Sequence, residues 1–454
     1  MSTQIESYHN KSQSTMDYNF QDIEGERFIC INALETIPTF FVSMISAQDH
    51  WFFTATNGAL SAGRGSPENS LFPYYTVDKI INNSNCTGPQ TIIKVANRVW
   101  EPFKSSSERI FSISRKIYKS INGDTLIFEE INHDLELTFS YTWSTSEKYG
   151  FIRRSKLANL STNDLEITVI DGLSDFLASG VDDRAHLAYS CLTDAYKVSE
   201  LEPLNQLLVH RMVASLVDEA IPLECLKATV LWSYGWDDAS ILIQQSDVEQ
   251  FLNDPSFEGS NFSRGLRGCY YNAGSFQLGS NGVKSWSIVA DIDKTQSDVA
   301  GLNIALQNKD ALWQSVIEDI TEGRNALEEL IQASDGLQIC SEEIVSTYHR
   351  ANVLFNIMRG GVFSDNYSIS KSLLQSHLVK HNSKLETSDL AILEELSEEF
   401  TYNDLVVASA KGSADLQRIS NEYLPLVFSS RHGDTSRPWN RFNIQTKDEN
   451  GNSI

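Results

Sequence analysis

From about Arg27 to Ala290, apolar residues alternate with polar or small ones in short runs broken by turn residues. This period of two marks half-buried β-strands. Leu135-Glu-Leu-Thr-Phe-Ser-Tyr-Thr-Trp143 is the cleanest run, a half-buried antiparallel strand by its pattern. Thr91–Ala96, Arg109–Tyr118, Thr125–Glu129, Gly150–Asn159, Leu165–Asp171, Ala185–Val198, Gln206–Val217, Leu226–Trp232 and Ser285–Ala290 are predicted strands on the same grounds. Asn122-Gly123-Asp124 joins two of them as a tight hairpin turn. So many strands exceed a seven-strand sandwich and predict a large antiparallel two-sheet sandwich.

Near Asp291 the period changes. Leu302, Leu306, Leu312, Val316, Ile320, Leu327 and Ile331 recur at helical spacing. A second helix opens at Ser341-Glu-Glu, carries Ile344, Tyr348, Val353, Phe355 and Met358, and stops at Gly360-Gly361. Ser368–His381, Thr387–Glu399 and Asp415–Tyr423 predict shorter helices, the last ended by Pro425. Their acidic runs, such as Glu394–Glu399, read as solvated helix faces. The expected order is therefore β then α: a disordered tail over 1–20, a β-sandwich domain over 21–295, a helical linker region over 296–428, and a distinct segment over 429–454.

Composition narrows the function. The chain has 454 residues, with 36 basic against 60 acidic side chains and a formal net charge of −24. Nucleic-acid phosphates and anionic membrane surfaces reward clustered Lys and Arg, so neither is an expected partner. The six cysteines stand singly, without CxxC spacing, which argues against a zinc site or a disulfide framework. No apolar signal region opens the chain and no run is long enough to span a bilayer. A reducing cytoplasm is the expected compartment.

Two stretches concentrate candidate chemistry. Trp51–Lys79 leads from an aromatic run through Asn57-Gly58 and Gly63-Arg64-Gly65 to a second aromatic cluster ending at Asp78-Lys79. Asn57-Gly58 is a hairpin-turn dipeptide in which both central residues would take positive φ. Aromatic faces beside the polar groups of Asn57, Arg64 and Asp78 suit a hydroxyl-rich ligand such as a sugar. The same residues also fit a hairpin with an aromatic core face. Arg431–Arg441 gathers His432, Asp434, Arg437 and Trp439; arginine forks suit carboxylates, phosphates and hydroxyls, and an indole can stack on a pyranose. A capped, salt-bridged loop is its alternative reading.

Other candidates are weaker. Glu129-Glu130 and Asp134–Glu136 could supply glycosidase carboxylates, which face each other at roughly 5–10 Å, but the alternation places them on the surface. The histidines lack metal-ligand spacing, and nucleophile-elbow, P-loop and dinucleotide motifs are absent. Trp232-Ser-Tyr-Gly-Trp236 could line a cleft or pack in the core.

Thr56–Arg64 with Leu71–Lys79, Trp100-Glu-Pro-Phe103, Ile152–Asn159 and Val169–Leu173 resemble the N-terminal part of large cellobiose-phosphorylase-like proteins. Arg431–Asn443 resembles the entry to their helical domain. The resemblance spans most of the chain. It implies a galactose-mutarotase-like supersandwich, then a helical linker, then the start of an α-helical toroid that carries catalysis. A toroid needs far more residues than follow here, and its general acid has no counterpart in this sequence. The resemblance therefore implies the carbohydrate-binding, active-site-shaping portion of a glycoside phosphorylase or hydrolase, incomplete and not catalytic alone. Its partners would be an oligosaccharide or glycoside and a missing catalytic domain, or a separate chain supplying it. No metal or organic cofactor is implied; inorganic phosphate would be a co-substrate if cleavage is phosphorolytic. Two rival readings remain: a non-catalytic assembly protein docking through its acidic helices, and a mutarotase-type epimerase, which would pair a histidine such as His186 or His210 with a glutamate.

Overall fold

The computed structural model describes residues 17–181, 185, 190–214, 225–333, 341–358, 361–363, 368–381, 385–423 and 426–428. The chain divides into two compact units. One takes the chain up to Met44, Phe52–Gly63 and Glu68–Gln314; the other takes Ile45–Trp51, Arg64–Pro67 and the chain from Ser315.

The first unit is the expected antiparallel sandwich. One sheet has 11 strands in the order Tyr18–Ile23, Glu26–Ile31, Ile113–Ser120, Leu126–Asn132, Leu137–Ser146, Gly150–Asn159, Val283–Thr295, Lys227–Tyr234, Leu207–Met212, Lys197–Glu202 and Phe262–Arg264. A sheet of 5 strands runs Ser240–Leu242, Gly268–Leu278, Leu165–Phe176, Gly88–Val95 and Arg98–Trp100. A sheet of 4 strands holds Phe41–Met44, His50–Ala55, Leu60–Arg64 and Ser70–Phe72.

The alternation read from the sequence becomes the core. Leu137, Phe139, Tyr141 and Trp143 point inward while Thr138, Ser140 and Thr142 are half-buried. Phe128 stacks on Tyr141 at 4.9 Å and Phe52 lies 5.2 Å from Trp143. Ile167, Val169 and Leu173 of the 5-stranded sheet and Leu60 and Leu71 of the 4-stranded sheet join the same core. Each fully buried large apolar side chain contributes about 1.5–3 kcal/mol. Trp236 is buried within this core, so the packing alternative holds for it; Trp232 is buried as well but lies outside that cluster.

Three expectations for the sandwich unit need correction. Ala185–Val198 is not one strand: Ser190–Ala195 is a helix and the strand starts at Lys197. The expected tail overlaps a strand, since Tyr18–Ile23 pairs in register with Glu26–Ile31. Glu130 is not a surface carboxylate but is wholly buried.

Helices follow the last sandwich strand, as the change of period predicts. Gln296–Ala305 starts from a capping box, with Thr295 Oγ1 accepting from the Asp298 amide and Asp298 Oδ2 accepting from the Thr295 amide. Lys309–Ala333 follows, with Leu312, Val316, Leu327 and Ile331 buried. In the second unit, Leu327 and Ile331 pack with Val353 and Leu354 of the helix Glu343–Met358 and with Ile45 and Ala47.

The second unit also holds a small helical cluster. Lys371–His381, Thr387–Glu394, Tyr402–Ser409 and Ala414–Glu422 surround Ile369, Leu374, Leu378, Leu393, Phe400, Leu405, Leu416 and Ile419. Ser368–Ser370 pairs with Glu399–Thr401, so the helices expected to begin at Ser368 and to reach Glu399 each give up a short strand. The ladder Gly361–Phe363 against Leu426–Phe428 brings the two ends of this region side by side.

Candidate functional site

The hairpin within Trp51–Lys79 is built around Gly58. Its φ is +84°, and an added Cβ would lie 2.9 Å from the Tyr141 hydroxyl oxygen. Gly58 N donates to Ala55 O at 2.9 Å and Ala55 N to Ala59 O at 2.8 Å. Only Gly58 of the pair has positive φ, so the turn is a three-residue loop ending in a left-handed glycine, not the two-residue turn expected. Asn57 instead anchors the loop through its side chain. Its Oδ1 accepts from Ala59 N at 3.2 Å, and its Nδ2 donates to Ile81 O at 3.2 Å.

That second bond ties the turn to the helix Val77–Asn82, which carries Asp78 in its first turn. Asp78 is exposed, and a hydrogen bond from Thr76 holds its carboxyl below the usual carboxylate range. Asn57 and Asp78 thus stand on linked elements. Beneath the turn, Asn57, Thr91, Lys104 and Tyr141 border a cavity of only about 10 Å³, which holds one water at most. Any sugar would meet this region from outside. Arg64 belongs to the second unit, where its Nε donates to Asp49 Oδ1 at 3.0 Å and its side chain is 16% exposed. His432, Asp434, Arg437 and Trp439 lie outside the described residues.

Three of the sequence motifs that carried the resemblance contribute to two buried polar networks. In Ile152–Asn159, Arg153 forms a two-pronged pair with Asp171 of Val169–Leu173, at 2.7 and 2.9 Å, both side chains sealed from solvent. Asp171 also accepts from Thr91 Oγ1 at 2.6 Å, Ser155 Oγ at 2.8 Å and Trp286 Nε1 at 2.7 Å. The Arg153 guanidinium sits 4.5 Å over the Tyr141 ring. In Trp100–Phe103, Trp100 Nε1 and Phe103 N donate to Glu130 at 2.6 and 2.7 Å. Arg115 Nε completes that carboxylate at 2.6 Å. Burial pushes the Glu130 carboxyl up, against the pull of Arg115 and these donors.

Such networks fix strand register and sheet spacing and offer no surface to a ligand. The carboxylate on the alternating strand was legible. Its burial was not, because its partners lie 15 to 30 residues away in sequence.

His210 is equally sealed, with Nδ1 2.9 Å from Ser199 Oγ and its ring edge-on to Phe176 at 5.3 Å. An imidazole so enclosed cannot meet a sugar as an epimerase requires; His186 lies outside the described residues. Among the described residues, no cluster of three or more His, Cys, Asp or Glu could hold a metal ion. No described helix is long and apolar enough to cross a membrane.

Comparison with known proteins adds a match over one segment. Residues 363–425 match the family described as glycoside hydrolase family 149 insertion domain 1. These residues run from the end of the strand Gly361–Phe363 to just before its partner strand Leu426–Phe428. The match is confined to these residues, and a domain of a glycoside hydrolase family is of the kind that the resemblance implies. No curated protein matches it.

Among solved structures, a bacterial glucoamylase complexed with acarbose is 14% identical over 74% of this chain and 42% of its own, with a TM-score of 0.39. A chain described as a kojibiose phosphorylase from the human microbiome is 14% identical over 76% of this chain and 41% of its own, at 0.37. A galactose mutarotase-like protein from Clostridium acetobutylicum is 9% identical over 62% of this chain and 99% of its own, at 0.28. The chain thus spans about two fifths of the length of the glucoamylase and phosphorylase chains.

Proposed function

We propose that this chain is the substrate-shaping portion of a glycoside phosphorylase or hydrolase, with catalysis supplied by a further helical domain or a separate chain. The observation that carries the reading is the insertion-domain match at 363–425, standing downstream of an antiparallel supersandwich. The ligand is an oligosaccharide or glycoside. Asp78, on the exposed first turn of Val77–Asn82, is a ligand-facing residue, and Asn57 positions it by tying the hairpin turn to that helix. Arg64 contributes by exchanging Asp49 for a sugar hydroxyl or phosphate. His432, Asp434, Arg437 and Trp439 belong to the active-site rim once catalysis is assembled.

Phosphorolysis would recruit inorganic phosphate at Arg, His and Ser side chains, and hydrolysis would need a second carboxylate to activate water. Calorimetric titration with a panel of gluco-oligosaccharides tests the reading. Binding that weakens on Asp78→Ala is the expected result. Silence across the panel would favour an assembly protein without carbohydrate ligands.

A further inference from the structure

We propose that a cavity between the helix Gln296–Ala305 and the 11-stranded sheet is a binding site for a single pyranose ring. The cavity measures about 330 Å³, at the small end of ligand sites and sufficient for one sugar ring with bound water. Trp232, 1% exposed, is among its lining residues, with Val230, Val289 and Leu302 as apolar neighbours in that lining. Lys148 and Tyr149, on the turn between two long strands, stand at its rim.

The polar groups match a neutral polyol better than an ion. Lys294 is paired with the buried Asp291 and lies 3.4 Å from the Lys148 carbonyl, so cation and carboxylate largely cancel. Ser297 and Asp298 also line the cavity, the Asp298 carboxylate accepting from the Thr295 amide and hydroxyl; hydroxyl groups both donate and accept, so a polyol can meet such carboxylates and ammonium groups alike. Choosing a sugar among neutral polyols rests on the function proposed above.

Gly301 is an independent indication. It lines the cavity from the interior of a helix, where glycine costs about 1 kcal/mol relative to alanine. No neighbour demands it, since an added Cβ there would meet nothing within 4 Å. Glycine keeps the cavity open, and a longer side chain would narrow it.

Hydrogen exchange with D-glucose and a glucose disaccharide at millimolar concentration tests the site. Slowed exchange in peptides covering 296–305 and 147–149 is expected, with affinity reduced at least about tenfold in Gly301→Leu. That variant should fold, because it replaces a helix glycine in open space, and its melting temperature should be unchanged or higher. Tyr149→Ala, a second variant at the rim, should weaken binding without altering the helix. Protection confined to other segments, or identical in both variants, would overturn the site while leaving the proposed function standing. Absence of protection with either sugar would also overturn it, and the oligosaccharide titration then judges the proposed function separately.

Discussion

Asp171→Asn tests whether the Arg153 network holds the sandwich together. The substitution keeps the shape but removes the charge facing a fully buried guanidinium, and its new amide donor confronts the donors from Thr91, Ser155 and Trp286. Breaking one side of a buried pair costs about 3–5 kcal/mol, and each donor left unsatisfied adds about 1–3. These terms overlap, so a loss of about 4 kcal/mol or more is expected, a large share of the stability of an ordinary domain. Urea unfolding followed by tryptophan fluorescence reads it, because Trp143 and Trp286 both lie in this core. The two units need not unfold together, so the sandwich transition is compared between variants, not the total. Asp78→Asn, at an exposed position, should stay within about 0.5 kcal/mol of wild type. Arg153→Met combined with Asp171→Leu removes both charges and should recover the part of the loss due to the stranded guanidinium, while the donors of Thr91, Ser155 and Trp286 still lack their acceptor. A loss below about 1 kcal/mol for Asp171→Asn would refute the reasoning.

Other expectations rest on separate features. Gly172→Ala would place a Cβ 2.0 Å from the Tyr270 carbonyl oxygen, so this strand should fail to pack and soluble yield should collapse. Burial pushes the Cys269 thiol up to about 12 and raises Cys30, so peptide mapping after brief alkylation at pH 8 should find exposed Cys86 modified well before either. Lys104 is drawn down to about 8 by burial, whereas an unfolded lysine titrates near 10.4. Between those values the unfolded chain binds more protons, so the burial penalty is fully present below pH 8 and is relieved as pH rises. Lys104→Met should remove this rise, about 1 kcal/mol after allowance for partial exposure, in unfolding measured from pH 7 to 10.

The sandwich was legible because most of its long strands bury one face. Gly150–Asn159 was read to its ends, and Leu137–Ser146 was read as Leu135–Trp143, displaced by two residues at its start and three at its end. The strand Gly268–Leu278 escaped notice because Cys269, Tyr270, Tyr271, Asn272 and Ala273 are all buried, which erases the alternation. The helix Tyr402–Ser409 was missed as well, although Thr401 and Asp404 form a capping box that the sequence displays.

The site was less legible. Asn57-Gly58 announced a turn but not the bond from Asn57 to Ile81, 24 residues on. Arg64 looked free between two glycines, yet its fork meets Asp49 across the ladder. The motifs Trp100–Phe103, Ile152–Asn159 and Val169–Leu173 suggested a carbohydrate enzyme, and among their polar groups those of Trp100, Arg153, Ser155 and Asp171 prove to be core.

Incubating this chain with gluco-oligosaccharides, with and without inorganic phosphate, tests the central claim most directly. The account expects binding but no release of sugar phosphate or new reducing ends until the catalytic portion is supplied. Robust turnover by this chain alone would contradict it.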